Sequence, residues 1–205
     1  ALEEEIARRL ERAELREALS RGVKLIVDTQ NREGGWRYYP QRADADISVT
    51  VCQVMALRAA RNAGLHVPKE TIDRSIQYVK QCQNADGGFW YQLGGGPSAF
   101  ARSAAAVVAL NSAGLYDTPE IRKALDYLAQ CLAKPAASQP YNEYGHYSAG
   151  QAMWQAGGEA WARWFPAVRD EMTRSQRDDG SWSASIDADY ATAMHAIVLQ
   201  VPNNV

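Results

Sequence analysis

The chain writes one phrase more than once. "RGVKLIVDTQNREGGW" runs from Arg21 to Trp36, and "RSIQYVKQCQNADGGF" runs from Arg74 to Phe89. The shared pattern is basic, small, two free positions, aromatic or aliphatic, aliphatic, three free positions, Gln, three free positions, Gly, any residue, aromatic. The first copy supplies Arg21, Gly22, Leu25, Ile26, Gln30, Gly34 and Trp36, and the second Arg74, Ser75, Tyr78, Val79, Gln83, Gly87 and Phe89. A third copy keeps the opening half as Lys123, Ala124, Tyr127 and Leu128, with Leu132 where the Gln falls. A fourth keeps the closing half as Met172, Gln176, Gly180 and Trp182, after an opening worn down to Ala167 and Val168. The starts at 21, 74, 123 and 167 lie 53, 49 and 44 residues apart. Recurrence at that spacing marks units that each stack on the next.

Two kinds of helix alternate along the repeat. Up to the Gln, apolar residues fall three and four apart: Val23, Ile26 and Val27, then Ile72, Ile76 and Val79, then Ile121, Leu125 and Leu128. These amphipathic helices span about 18–30, 69–82, 118–132 and 160–176, with Pro68 and Pro119 at helix starts and the Gly-rich tail as the stop. Between them run less polar segments rich in small residues, at 47–64, 100–114, 145–158 and 190–200. A helix that is apolar nearly all round is buried on most sides, whereas an amphipathic one keeps a wet face. The pattern therefore predicts an all-α fold: an α/α toroid, open or partial, of about four hairpins with inner and outer helices. The Gln side chain can bond backbone at the adjacent helix end, and the aromatic ring can pack there. Residues 1–17 read as a charged N-terminal cap helix with Leu2, Ile6 and Leu10 on one stripe, and 18–205 as the toroid.

Bulk properties narrow the function classes. A net charge of −2 and a pI near 6.0 give no electrostatic case for nucleic acid or an anionic membrane. No apolar run reaches the roughly 18 residues of a membrane span. Cys52, Cys82 and Cys131 lack metal-type spacing and read as reduced, buried thiols. "GGGPS" at 94–98 has no Lys-Ser/Thr after it and is no phosphate loop. The chain opens at Ala1, not Met, without a signal-peptide pattern, and ends abruptly at "VPNNV"; compartment and further sequence on either side stay open.

Gln-x-x-x-Gly-x-Trp with its basic-small-x-x-aromatic-aliphatic lead resembles the QW motif of the squalene-hopene cyclase and oxidosqualene cyclase superfamily. The stretch "GGWRYYPQRADADISVTVCQVMALRAARNAG" is similar in particular to small bacterial proteins with prenyltransferase/squalene-oxidase repeats. The resemblance covers about 15–200 and implies the α/α-toroid fold, but it implies no single reaction, because that scaffold hosts several. Class II terpene cyclases of this kind carry Asp-x-Asp-Asp-Thr, whose middle Asp protonates an alkene inside an aromatic-lined cavity. Here "DADIS" sets Asp44 on the first Asp, Asp46 on the middle one and Ser48 on the Thr, with Ile47 in place of the last carboxylate. The resemblance thus makes Asp46, with Asp44, the candidate general acid. "DADYA" repeats the words at Asp187 and Asp189. N-capping of the following helix explains Asp46 and Asp189 equally. Protein prenyltransferase β-subunits hold zinc through Asp, Cys and His; Asp46, Cys52 and His195 are the counterparts, but the Asp-x-Cys spacing is missing, so neither metal nor cofactor is expected.

Aromatic and polar residues are densest in "YYPQRADAD" and "YNEYGHYSAGQAMW". Tyr38, Tyr39, Tyr141, Tyr144, His146, Tyr147 and Trp154 are candidates to line one mouth of the toroid, and Asp189 is a candidate ligand contact. Arg102, opening an apolar inner helix, is placed to pair with Asp46 or to meet an anionic headgroup. Two readings follow. One is a terpene cyclase- or prenyltransferase-like domain that binds or acts on an isoprenoid or other apolar small molecule. The other is a non-catalytic repeat module that binds a protein or another ligand through its rim.

Overall fold

The structure, a computed structural model, describes residues 2–133, 141–183 and 186–203, with side chains from residue 12 onward. The Leu2, Ile6 and Leu10 stripe therefore lies outside the described side chains. Helices alternate as the patterning requires. The outer set is α1 (Leu2–Thr29), α3 (Lys69–Gln81), α5 (Pro119–Cys131) and α7 (Gly158–Ser175). The inner set is α2 (Ile47–Asn62), α4 (Phe100–Ser112), α6 (Asn142–Ala156) and α8 (Ala188–Gln200), closed by a 3-10 turn at Val201–Asn203. The cap helix and the first outer helix form one rod, since no Pro or turn residue interrupts 2–29 and Gly22 alone does not break it.

Inner helices pack in chain order, α2 on α4, α4 on α6 and α6 on α8, and each outer helix lies against its inner neighbour. Among the described residues α2 and α8 share no comparable contact, so the ring is open. α4 is the hub: every residue from Ala104 to Leu110 is buried. Its alanines let α2 and α6 approach closely, while Val107 and Leu110 supply apolar bulk. Cys82 and Cys131 join this core, but Cys52 is exposed on α2, against the expectation that all three thiols are buried. An open ring leaves one flank of its first inner helix uncovered, which is the physical reason.

The repeated phrase is a clasp. At the end of α1, Gln30 Nε2 donates to Gly34 O at 2.9 Å and to Thr71 O in the first turn of α3, also at 2.9 Å. At the end of α3, Gln83 Nε2 donates to Gly87 O at 3.0 Å and to Glu120 O in the first turn of α5 at 2.8 Å. Each Gln thus joins its own turn to the next outer helix. The glycine is obligatory here. Gly34 and Gly87 have φ of +101° and +88°, and a Cβ on either would lie 2.3 Å from the carbonyl oxygen of Arg74 or Lys123. The aromatic residue adds hydrogen bonds of its own. Trp36 Nε1 donates back to Ile26 O of its own outer helix at 2.7 Å, and Trp182 Nε1 to Met172 O at 2.8 Å. The backbone N–H of Trp36, Phe89 and Trp182 then donates forward to Thr50, Ser103 and Thr192 on the following inner helix.

Candidate functional site

Two residues past each of the first two clasp aromatics, the chain delivers a tyrosine to the N-terminal ends of the inner helices: Tyr38 after Trp36 and Tyr91 after Phe89. They line one cavity of about 620 Å³ with Arg102 of α4, Tyr144 of α6 and Tyr141 just before it. Small residues, Ser48, Pro97, Ser98, Ala99 and Ala101, complete the wall. That volume falls within the roughly 300–1,000 Å³ of small-molecule sites. Tyr141 enters α6 with φ of 58°, a left-handed conformation that turns the chain into the helix without a side-chain cap.

Beside this cavity sits Asp46. It is the N-cap of α2, its Oδ1 accepting the Val49 N–H at 2.9 Å, which satisfies a donor the helix start leaves open. The side chain is fully buried and Asp46 is not among the residues lining the cavity. Its Oδ2 makes no hydrogen bond and faces Arg37 Nε at 3.6 Å. The Arg37 guanidinium also lies 3.4 Å from Asp44 and sits over the rings of Tyr38 and Tyr91, 5.4 and 5.6 Å from their centroids. The two tyrosine hydroxyls meet at 2.9 Å. Burial first, then this hydrogen bond and the charge of Asp46, push the Tyr91 phenol well above its ordinary value. A carboxylate, a guanidinium and two phenols therefore form one cluster, with Asp44 held at its edge by Gln92 Nε2 at 3.3 Å.

Arg102 does not pair with Asp46, as the sequence invited; Arg37 takes that place. Arg102 instead donates to Phe89 O at 2.9 Å and Pro97 O at 2.5 Å, fixing the wall of the cavity, and burial draws its guanidinium below the ordinary value. The loop before α4 supplies carbonyls closer at hand than the carboxylate on α2.

The family model of the squalene-hopene cyclase C-terminal domain matches residues 4–150, well over half the chain. The chain belongs to that family. No curated protein matches it. Within this squalene-hopene cyclase C-terminal domain, the match takes in α1 to α5, the start of α6 and all residues of the cavity and the Asp46 cluster. α7, α8 and the fourth clasp lie beyond it.

The remaining candidates scatter. His146 lies on α6 away from the tyrosine cavity, in a smaller one of about 210 Å³ with His195, Glu143 and Glu171. Burial, reinforced by His195, lowers the His146 imidazole to about 4. Its ring packs edge-on against Phe100 at 5.0 Å. His195 stacks on Trp182 at 5.2 Å and its Nδ1 meets Ala191 O at 2.7 Å. Tyr39 is exposed to solvent, and Trp154 packs edge-on against Trp161 of α7; neither lines the tyrosine cavity. Tyr147 lies 6.4 Å from Tyr144, one turn deeper. Asp189 does not cap α8. Asp187 does, accepting the Tyr190 N–H at 2.7 Å, because the last loop is shorter and the helix begins earlier in the "DADYA" words.

Sequence reasoning missed Arg37 and Tyr91. The signal was present in the repeat: Tyr38 and Tyr91 hold equivalent positions after the clasp aromatic. Nothing in a single sequence marks Arg37 as the partner of Asp46, since that pairing depends on the α1–α2 loop folding back so that Asp46 N–H donates to Trp36 O at 3.0 Å.

Proposed function

We propose that this domain binds an apolar, isoprenoid-type ligand at the tyrosine cavity and does not protonate it. The observation that carries the reading is the division of labour at the inner-helix ends. The cavity walls are phenol rings and small side chains with one guanidinium, Arg102. Such walls suit a hydrocarbon with a weakly polar end. The carboxylate that a cyclase of this family would aim at an alkene is Asp46, and here it is spent on the α2 N-terminus and Arg37. Ile47 stands where a second carboxylate would flank it.

The test is extraction of lipid from the purified protein followed by mass spectrometry. We expect a co-purifying isoprenoid, retained in Asp46→Asn and lost in Ala99→Trp, which fills the cavity while helical circular dichroism stays unchanged. No retained lipid, or equal retention in Ala99→Trp, would refute binding at this cavity. Cyclised product from squalene that disappears in Asp46→Asn would refute the non-protonating half. A rim-binding reading has its own observation in Tyr39 and Tyr141, both largely exposed. Loss of a partner on Tyr39→Ser with lipid content unchanged would favour it.

A further inference from the structure

The fourth clasp is set, but among the described residues it holds no helix. Gln176 Nε2 donates to Gly180 O at 2.8 Å, the same intraloop bond made by Gln30 and Gln83. The loop backbone is also the same: Arg177 N–H to Ser181 O and Gly180 N–H to Arg177 O repeat the bonds of Asn31 with Gly34 and Gly35 and of Asn84 with Gly87 and Gly88. Gly180 has φ of +84°. Yet among the described residues no helix lies across it. A Cβ there would meet nothing nearer than Gln176 Nε2 at 4.0 Å, against 2.3 Å to a helix carbonyl at Gly34 and Gly87. Gln176 is exposed and, among the described residues, lacks the second acceptor that Thr71 and Glu120 provide to the other two.

The complementary surface is on the same chain. In α3 the clasp of α1 is met by Thr71, Arg74, Ser75 and Tyr78, and Thr71, Ser75 and Tyr78 are buried. In α5, Ala124 and Tyr127 are buried at the same register. The equivalent residues of α1, counted from Arg21 as from Arg74, are Ala18, Gly22 and Leu25, and all three are exposed. Nothing lies within 4 Å of a Cβ placed on Gly22, and Leu25 is 55% exposed. Ala18 and Gly22 are at least as small as Thr71 and Ser75, so this face of α1 admits a clasp as closely as α3 does. The shapes also match in detail. Gly35 and Gly88 leave room for the rings of Tyr78 and Tyr127, whereas the fourth clasp has Ser181 there and α1 offers the shorter Leu25. Asp178 and Asp179 on the loop are exposed, opposite in charge to Arg21 and Lys24 on α1.

We propose that two copies of this chain associate head to tail, α1 of one seating on the Gln176–Gly180 clasp of the other. Ala18 O then accepts the free Gln176 hydrogen, and Arg21 O closes over Gly180. The contact is heterologous, so two copies can close into a ring or many can extend.

Sedimentation over about 1 to 100 μM protein reads the association directly. Two variants leave the monomer intact by design: Gly22→Arg on the open face of α1, and Gln176→Ala on the exposed clasp. Each alone is expected to weaken association about tenfold or more, the factor of one lost hydrogen bond or a blocked face. Mixing the two restores one sound contact, α1 of the Gln176→Ala chain on the clasp of the Gly22→Arg chain, and heterodimer appears. A wild-type chain that stays monomeric throughout overturns the proposal. So does association indifferent to either variant, or a mixture that fails to pair.

Discussion

Gln30→Ala removes the two glutamine hydrogen bonds of the first clasp and leaves its other bonds, those of Trp36 and the Arg74 bond to Asn31 O, in place. Gln30 is 4% exposed, and its Nε2 holds two backbone carbonyls at 2.9 Å, Gly34 O in its own turn and Thr71 O on α3. A neutral hydrogen bond contributes about 0.5–1.5 kcal/mol net, and an acceptor left buried without a donor costs more. Two such bonds in a buried position put the loss at roughly 2–3 kcal/mol. In a chain of this size that lowers Tm by about 4–12 °C. Gln176→Ala is the internal control: one bond, 2.8 Å, at an exposed site, for a loss below about 1 kcal/mol. Both variants are measured by urea unfolding followed by circular dichroism, at protein concentrations low enough to keep the chain monomeric. Equal losses in the two, within about 0.5 kcal/mol, would refute the claim that the clasp stabilises by joining neighbouring outer helices.

Glycine at the clasp is a second matched pair. Gly87→Ala drives a Cβ to 2.3 Å from Lys123 O at a φ of +88°, so about 3 kcal/mol or more is lost in the same unfolding assay. Gly64→Ala, at φ of +76° in open space, costs only the roughly 1–2 kcal/mol of the left-handed conformation. His146 sets an acid dependence. Its imidazole is held near 4 in the folded protein, below the ordinary value of 6.5, so the unfolded chain binds its proton first as pH falls. The contribution is complete above pH 6.5 and drains away toward pH 4; between pH 7 and pH 5 about 2 kcal/mol is lost. His146→Phe should flatten that slope in urea titrations at the two pH values, and an unchanged slope would exclude His146 as its origin.

Helix positions, their inner or outer placement and the family were all legible in the chain, because each rests on local periodicity or on a repeat that one sequence can be aligned with itself to find. Val107 to Leu110 sit in the hub as their composition required. What escaped depends on distances between loops. Arg37 rather than Arg102 meets Asp46, since Arg102 is drawn to carbonyls at Phe89 and Pro97. His146 and Trp154 share a sequence stretch with Tyr144 but leave the helix at other angles, toward α8 and α7. Asp187 displaced Asp189 as cap because two matching words were preceded by loops of different length.

The clasps and the cavity are parts of one device. Trp36 bonds backward to Ile26 O and forward to Thr50, so Arg37 and Tyr38 emerge from a turn fixed at both ends. Phe89 N–H is held by Ser103, and Tyr91 O in turn accepts the Ile47 N–H at 3.0 Å, tying the second loop to the start of α2. The Tyr38–Tyr91 contact over Arg37 therefore spans two repeats, and its geometry is set by how closely α1 and α3 are clasped. Loosening Gln30 must then disturb the cavity as well as stability, whereas changes at Tyr144, which hangs from α6 with no part in a clasp, alter the cavity alone. Burial, followed by the nearby Cys52, raises the Tyr144 phenol to about 12, so its hydroxyl stays a neutral hydrogen-bond donor at any physiological pH. Within this arrangement substitution at a few rim positions changes the cavity lining while every stacking contact between helices persists.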